Sequence, residues 1–503
     1  MSRLNNWVKI ALGPIAFAAV ELFVRPSLGG SGSDLQGGLI EVPAGASALL
    51  ARHALAATCW IAVWWITEAL PIAVTSLLPL ALFPILQLGS PAEVSGAYAN
   101  EIVFLFLGGL LLAQAMERTG LHRRIALAIV GVFGNQPRSL VLGFMVATAA
   151  LSMWISNTAT TVMMIPVALA VLDSREAGPS QSTDRPFAIA LLLGIAFAAN
   201  IGGFGTPIGS PPTIVFQSIY QQKTGDTVSF GEWMLYGVPL IMVMLPTTWW
   251  ILVRGLPARL EGDVERPVEK SPMTSDERTV AVAFGVAAFL WLTRGGFGPV
   301  VGWGTLLERI GIDVRDSTVA IGVVIALFVV SVGRRGKILD WDDASAKLPW
   351  GVLILLGAGF AISSAFDRSG LTLWIGQWIA GVGHLGVPDA LLFPLLLTAI
   401  VIVSIVVTEF ASNTASAGIL LPVVFGASAA LGEEQFPAKL LMIGCALACT
   451  AGFAMPAGTP PNALAFATGR IPIQRFVRVG LMVDAVGLIL IVLLILLWRG
   501  ATG

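Results

Sequence analysis

Two short polar runs stand inside long apolar stretches: Ser156-Asn157-Thr158 and Ser412-Asn413-Thr414. Hydroxyl and amide side chains both donate and accept hydrogen bonds. A turn between two helices exposes free carbonyls at the end of one and free amides at the start of the next. Carbonyl-rich ends attract cations, and amide-rich ends attract anions. One such turn can therefore hold a hard cation with its oxygens and an anion's oxygen with its donors. Two further runs, Gly205-Thr206-Pro207 and Gly458-Thr459-Pro460, follow the first pair at similar distances. Glycine and proline unwind a helix and free more carbonyls. The segment from Asn200 to Pro212 carries too many of them to continue as a helix.

The elements that position these runs belong to a membrane. The 503 residues are 56% hydrophobic and 12% charged, where a soluble domain carries about 25% charge. The net charge of −1 excludes a basic nucleic-acid footprint. Three cysteines and three histidines are too few and too scattered for a disulfide framework or a metal cluster. Cys445 and Cys449 share a helix face and read as packing. A span needs about 20 apolar residues. Eleven are expected, at 7–24, 49–67, 70–88, 100–117, 187–220, 233–254, 278–294, 317–333, 349–366, 437–467 and 475–498. The first reads as an uncleaved span rather than a signal peptide. Two stretches, 138–172 and 388–428, are each long enough for two short helices and are broken by the Ser-Asn-Thr runs. A polar break at membrane depth needs cover from protein or water, so both read as re-entrant hairpins. With the N-terminus in the cytoplasm, most of the 29 lysines and arginines fall on the inside. The first hairpin then opens from the cytoplasm and the second from outside.

The chain repeats itself. Met116-Glu117-Arg118-Thr119-Gly120-Leu121 recurs as Phe366-Asp367-Arg368-Ser369-Gly370-Leu371, and each Ser-Asn-Thr run is followed by a proline, Pro166 or Pro422. Matching the hexamers, the Ser-Asn-Thr runs and the Gly-Thr-Pro runs gives offsets of 250, 256 and 253 residues, in the same order. Because the halves enter from opposite sides, this is an inverted repeat, an architecture that puts its sites near the midplane on interrupted helices. The organisation expected is a scaffold at 1–99, a first repeat at 100–255, connecting helices at 256–348 and a second repeat at 349–503. Amphipathic helices are expected at 119–134 and 369–384.

These paired motifs, with Trp65-Ile66-Thr67-Glu68-Ala69-Leu70-Pro71 leading into the third span, resemble the divalent anion/sodium symporters over nearly the whole chain. The resemblance implies an all-α polytopic fold, a homodimer and an elevator-type mechanism. It implies sodium-coupled symport of C4-dicarboxylates such as succinate, malate and fumarate, and no enzyme activity, in a bacterial inner membrane. Sulfate, citrate and sodium-independent exchange stand as alternatives. Carried over by motif, Ser156, Asn157, Thr158, Ser412, Asn413 and Thr414 would meet the substrate, with Thr206, Pro207, Thr459 and Pro460 closing the site. One sodium ion would lie among Ser152, Ser156, Asn157 and Gly205, and a second among Thr408, Ala411, Asn413 and Gly458. Thr213 departs from the family pattern, which has asparagine after the two prolines; Asn462 keeps it.

Neither the Ser-Asn-Thr runs nor the Gly-Thr-Pro runs contain lysine or arginine. Burying an unpaired carboxylate is costly, so bound sodium ions are the natural compensation for a dianion. Glu409 lies beside the second motif where the first repeat has Met153, and a local hydrogen-bonding role is expected for it. Glu68 and Glu101 fall near span ends, where structural roles are expected, and the fifteen tryptophans suit interfacial belts and packing.

Overall fold

The computed structural model describes residues 6–24, 47–134, 136–176, 184–256, 271–297, 300–330, 337–372, 374–375 and 388–502. Among these the chain is helical, apart from a short antiparallel ladder pairing Gly296 with Val301 and Phe297 with Val300. Helix α1 (Asn6–Phe23) packs on α2 (Ala48–Thr67), which Ser47 caps by accepting from the Leu50 amide. The expected third span is instead two short helices, α3 (Ile72–Thr75) and α4 (Leu78–Ile85). Pro79 stands in the first turn of α4 and offers no amide with which α3 could continue into it. A capping box of Ser90 and Glu93 starts α5 (Pro91–Tyr98), and Asn100 caps α6 (Glu101–Thr119).

The short helix expected after it is α7 (Leu121–Val132). The first hairpin is α8 (Pro137–Ser152) and α9 (Asn157–Glu176). The first broken span is α10 (Asp184–Gly202) and α11 (Pro211–Thr224), followed by α12 (Phe230–Val253). Helices α13 (Ser275–Arg294), α14 (Trp303–Glu308), α15 (Asp316–Val329) and α16 (Trp341–Lys347) connect the halves. The second half repeats the order: α17 (Trp350–Ser369), a hairpin of α18 (Asp389–Phe410) and α19 (Asn413–Leu431), a broken span of α20 (Ala438–Thr450) and α21 (Pro460–Ala467), and α22 (Ile473–Thr502). The counterpart of α7, expected at 369–384, lies mostly outside the described residues.

Nine helices among the described residues are long and apolar enough to cross a membrane, against eleven spans expected. The nine include both helices of the second hairpin, while the split third span and the 14-residue α15 fall short. Helices α10 and α20 are buried on nearly every face, as helices that are apolar all round must be. By contrast, α18 and α22 turn Leu395, Val406, Leu481, Ile489 and Leu497 outward, a face suited to lipid. Tryptophan divides between the two environments. Trp7, Trp250 and Trp341 are exposed. Trp65, Trp233 and Trp291 are buried and donate to Ser76 Oγ, Phe204 O and Asp316 O.

The two halves exchange matching contacts. Arg118 at the end of α6 lies 3.7 Å from Asp343 in α16, and Arg368 at the end of α17 lies 2.7 Å from Glu93 in α5. The arginines are 250 residues apart, and so are their acidic partners. Such swapped pairs are what an approximate two-fold axis produces. Each arginine is followed by a glycine in the left-handed region, Gly120 at φ 82° and Gly370 at φ 77°. A side chain there would be strained, and the glycine lets the chain turn sharply out of the long helix.

Candidate functional site

In the first hairpin, α8 ends at Ser152 and α9 begins at Asn157. Ser152 Oγ lies 2.7 Å from Ala199 O and 2.7 Å from the Asn157 side chain. A hydroxyl has one proton, and Ser152 gives it to the carbonyl; Asn157 then meets Ser152 with its amide nitrogen. So oriented, that nitrogen also donates to Ala199 O and Gly209 O, each at 3.2 Å. Ser156 Oγ accepts from the Ala159 amide at 3.3 Å. Ser156 and Asn157 are half-buried and Thr158 is exposed.

The second hairpin repeats this arrangement. Thr408 Oγ1 lies 2.7 Å from Cys449 O and 2.8 Å from Asn413 Oδ1. Ser152 and Thr408, and Asn157 and Asn413, are each 256 residues apart. Ser412 and Asn413 are half-buried, and Thr414 and Ala411 are buried. One turn further, Thr160 and Ser416 form another mirrored pair, buried hydroxyls with no partner among the described residues. Sequence reading passed over them because a lone hydroxyl in an apolar helix carries little signal.

The breaks align differently from the expected pairing of Gly205-Thr206-Pro207 with Gly458-Thr459-Pro460. Ser210 and Thr459 are the residues that precede α11 and α21 as N-caps. A Cβ on Gly209 would lie 3.0 Å from Met153 O, and one on Gly458 would lie 3.4 Å from Glu409 O. Phe204 O presses on Gly237 as Phe453 O presses on Gly480. The structural partner of Gly458-Thr459-Pro460 is therefore Gly209-Ser210-Pro211, 249 residues earlier. The tripeptide identity misled by four residues, because a second glycine-proline run follows the first. Thr206 and Pro207 are wholly buried, and the Thr206 hydroxyl donates to Met153 O, tying the hairpin turn to the break. Thr459 is buried and Pro460 is exposed.

The breaks bond across the repeat. Asn200 Nδ2 at the end of α10 donates to Thr459 Oγ1 at 3.0 Å and to Asn462 Oδ1 at 3.2 Å. In the mirrored direction, Ser210 Oγ lies 3.1 Å from Thr450 Oγ1 at the end of α20. Asn462 Nδ2 donates to Gly452 O and Met455 O at 3.0 and 3.1 Å. Thr213, at the corresponding place in the first break, has no amide to do this. A relay of bonds and adjacent residues thus joins the two hairpin turns: Asn157 to Gly209, Ser210 to Thr450, and Cys449 through Thr408 to Asn413. Each turn lies level with a break in a spanning element, so the polar groups of both halves converge within the protein.

Two acids from neighbouring helices, Glu409 of α18 and Asp484 of α22, reach the second break. Glu409 Oε1 and Oε2 accept from the Ala454 and Met455 amides, both at 2.7 Å, and Asp484 Oδ1 accepts from the Phe453 amide at 3.1 Å. Glu409 has the local hydrogen-bonding role expected for it. Asp484 escaped notice, although it is the one acid in α22. Glu101 accepts from Gln221 at 2.7 Å, and Glu68 caps α2 at φ 48°. Both have structural roles.

A duplicated, membrane-embedded helical fold whose interrupted helices meet mirrored polar turns is the architecture of a secondary transporter. The family described as the sodium:sulfate symporter transmembrane region matches residues 37–501, and the chain belongs to that family. It is 37% identical over 505 residues to SdcS of Staphylococcus aureus (strain MSSA476), named a sodium-dependent dicarboxylate transporter. That match covers 97% of this chain and 90% of SdcS. Two solved structures share the fold. The YdaH transporter of Alcanivorax borkumensis is 17% identical, with a TM-score of 0.52 over 81% of this chain and 88% of its own. MtrF of Neisseria gonorrhoeae is 14% identical, with a TM-score of 0.54 over 98% of this chain and 94% of its own.

Proposed function

We propose that this protein is a sodium-coupled symporter of C4-dicarboxylates such as succinate, malate and fumarate, in the inner membrane of a bacterium. The observation that carries the reading is the bonded relay between the two mirrored turns, which gathers hydroxyls, amides and free carbonyls around one region of the interior. The likeness to SdcS supports sodium and dicarboxylate as the cargo.

Asn157, Thr158, Asn413 and Thr414, with Ser156 and Ser412, would contact the substrate carboxylates. Thr459 and Pro460 would border the site, and buried Thr206 and Pro207 would brace it from behind. One sodium ion would take oxygens near Ser152, Ser156, Asn157 and Gly205, the other near Thr408, Ala411, Asn413 and Gly458. With no cationic side chain in either motif, sodium neutralises the dianion and binds first, ordering the turns for the substrate. Any net charge moved adds about 2.3 kcal/mol per 100 mV of membrane potential.

The repeats at 100–255 and 349–503 carry the site, and 1–99 and 256–348 support them. The sharp turns at Gly120 and Gly370 would let the site-bearing unit shift against the rest in an elevator-type movement, within a homodimer whose N-terminus is cytoplasmic. The test is uptake of labelled succinate, citrate and sulfate into proteoliposomes, with and without an inward sodium gradient. Saturable, sodium-dependent succinate uptake supports the reading. Preference for sulfate or citrate, or uptake indifferent to sodium, replaces it with one of the alternatives.

A further inference from the structure

We propose that an anionic phospholipid binds in a groove between helices Asp184–Gly202, Phe230–Val253 and Ile473–Thr502, at the end of the molecule where the first of these begins. The groove encloses about 470 Å³. Its floor is apolar, with Ile189, Leu193, Leu252 and Val479, and its rim carries Arg185 and Arg475. Among the described residues, no aspartate or glutamate lines it. Both arginines are exposed, and neither guanidinium has a hydrogen bond or ion pair with the described residues.

Two cations with no partner among the described residues, above an apolar trough, call for a ligand with an anionic head and an apolar body. The small dicarboxylate cargo has the first and lacks the second. A zwitterionic lipid has the body, but its own ammonium group offsets the attraction. An arginine-rimmed pocket between spans on the cytoplasmic side is how membrane proteins hold anionic headgroups, and the lysine and arginine distribution puts this end on that side. A neighbouring groove of about 460 Å³, with Arg478 beside Ile473, Val477 and Leu481, repeats the combination one turn along the same helix. The apolar outer face of that helix would already be in contact with acyl chains.

The test uses the full-length protein in detergent, titrated with phosphatidylglycerol or phosphatidylcholine and followed by native mass spectrometry and thermal unfolding. Phosphatidylglycerol should bind more tightly and raise the melting temperature. Arg185→Gln with Arg475→Gln should weaken it about 25-fold, near fivefold for each arginine. Arg278→Gln, exposed elsewhere, should not change it. Ile189→Trp, which fills the groove but keeps both arginines, should also lower lipid affinity while leaving phosphatidylcholine unaffected at the other surfaces. Equal binding of the two lipids, or unchanged affinity in the double variant, would overturn the proposal. So would full protection by glycerol phosphate alone, since the groove would then play no part.

Discussion

The two halves of the molecule solve the same local problem by different means. Each has a buried helix that stops midway and must satisfy the amides that follow. In the first break, the Phe204 and Gly205 amides donate to Ile201 O and Gly202 O, in tight turns that continue from the helix. In the second, the helix ends at Thr450, and the Phe453, Ala454 and Met455 amides donate to the carboxylates of Asp484 and Glu409. At the corresponding places the first half has Met153 and Ile241, whose side chains pack near Gly205. Backbone turns suffice where glycine allows them. Where Ala454 and Met455 replace Gly205 and Thr206, acidic side chains take over. Symmetry is kept at the hairpin turns, where Ser152 and Thr408 each bridge an asparagine and a helix-end carbonyl, and is relaxed behind them.

The largest effect is expected from copying the first half into the second. Glu409→Met removes both acceptors and leaves the buried Ala454 amide and the half-buried Met455 amide unpaired, at about 1–3 kcal/mol for the buried one. Thermal unfolding in detergent should show the loss, and uptake should fail with it. Met153→Leu at the mirrored place should cost under about 1.5 kcal/mol. Equal effects at the two positions would break the comparison.

Next come the bonds across the repeat. Asn200→Ala removes the amide that donates to Thr459 Oγ1 and Asn462 Oδ1, leaving Thr459 only the Asn462 backbone amide, and should cost about 1–3 kcal/mol. Ser210→Ala removes one hydroxyl pair and should cost about 0.5–1.5 kcal/mol. Unfolding of the two variants would rank them, and a larger loss from Ser210→Ala would reverse the account of which crossing is stronger. The smallest effect belongs to the swapped ion pairs. Asp343→Asn and Glu93→Gln should each leave the melting temperature nearly unchanged, because these carboxylates are exposed and surface ion pairs contribute little. A markedly larger change from one alone would show that the two-fold relation does not extend to their energetics.

Much of this was legible in the sequence. The hairpin turns were visible because identical polar tripeptides interrupt two apolar stretches, and most spans followed from hydropathy. The third span failed because its composition is apolar while Pro79, at the start of α4, prevents one continuous helix. The register of the breaks failed because an identical Gly-Thr-Pro outweighed the longer, less exact match from Gly203–Phe204 and Gly452–Phe453 to the paired prolines. Asn200, Ser210 and Thr450 were visible as polar residues in apolar surroundings. Their partners lie in the other half of the chain, and no local pattern links residues more than two hundred positions apart.

The most direct test is calorimetric titration of succinate into the purified protein, in sodium chloride and in choline chloride, with Asn157→Ala and Asn413→Ala alongside. Saturable binding in sodium, none in choline and none in either folded variant is the result expected of an anion enclosed by two mirrored turns and their cations. Equal affinity in choline, or wild-type affinity in both variants, would contradict it.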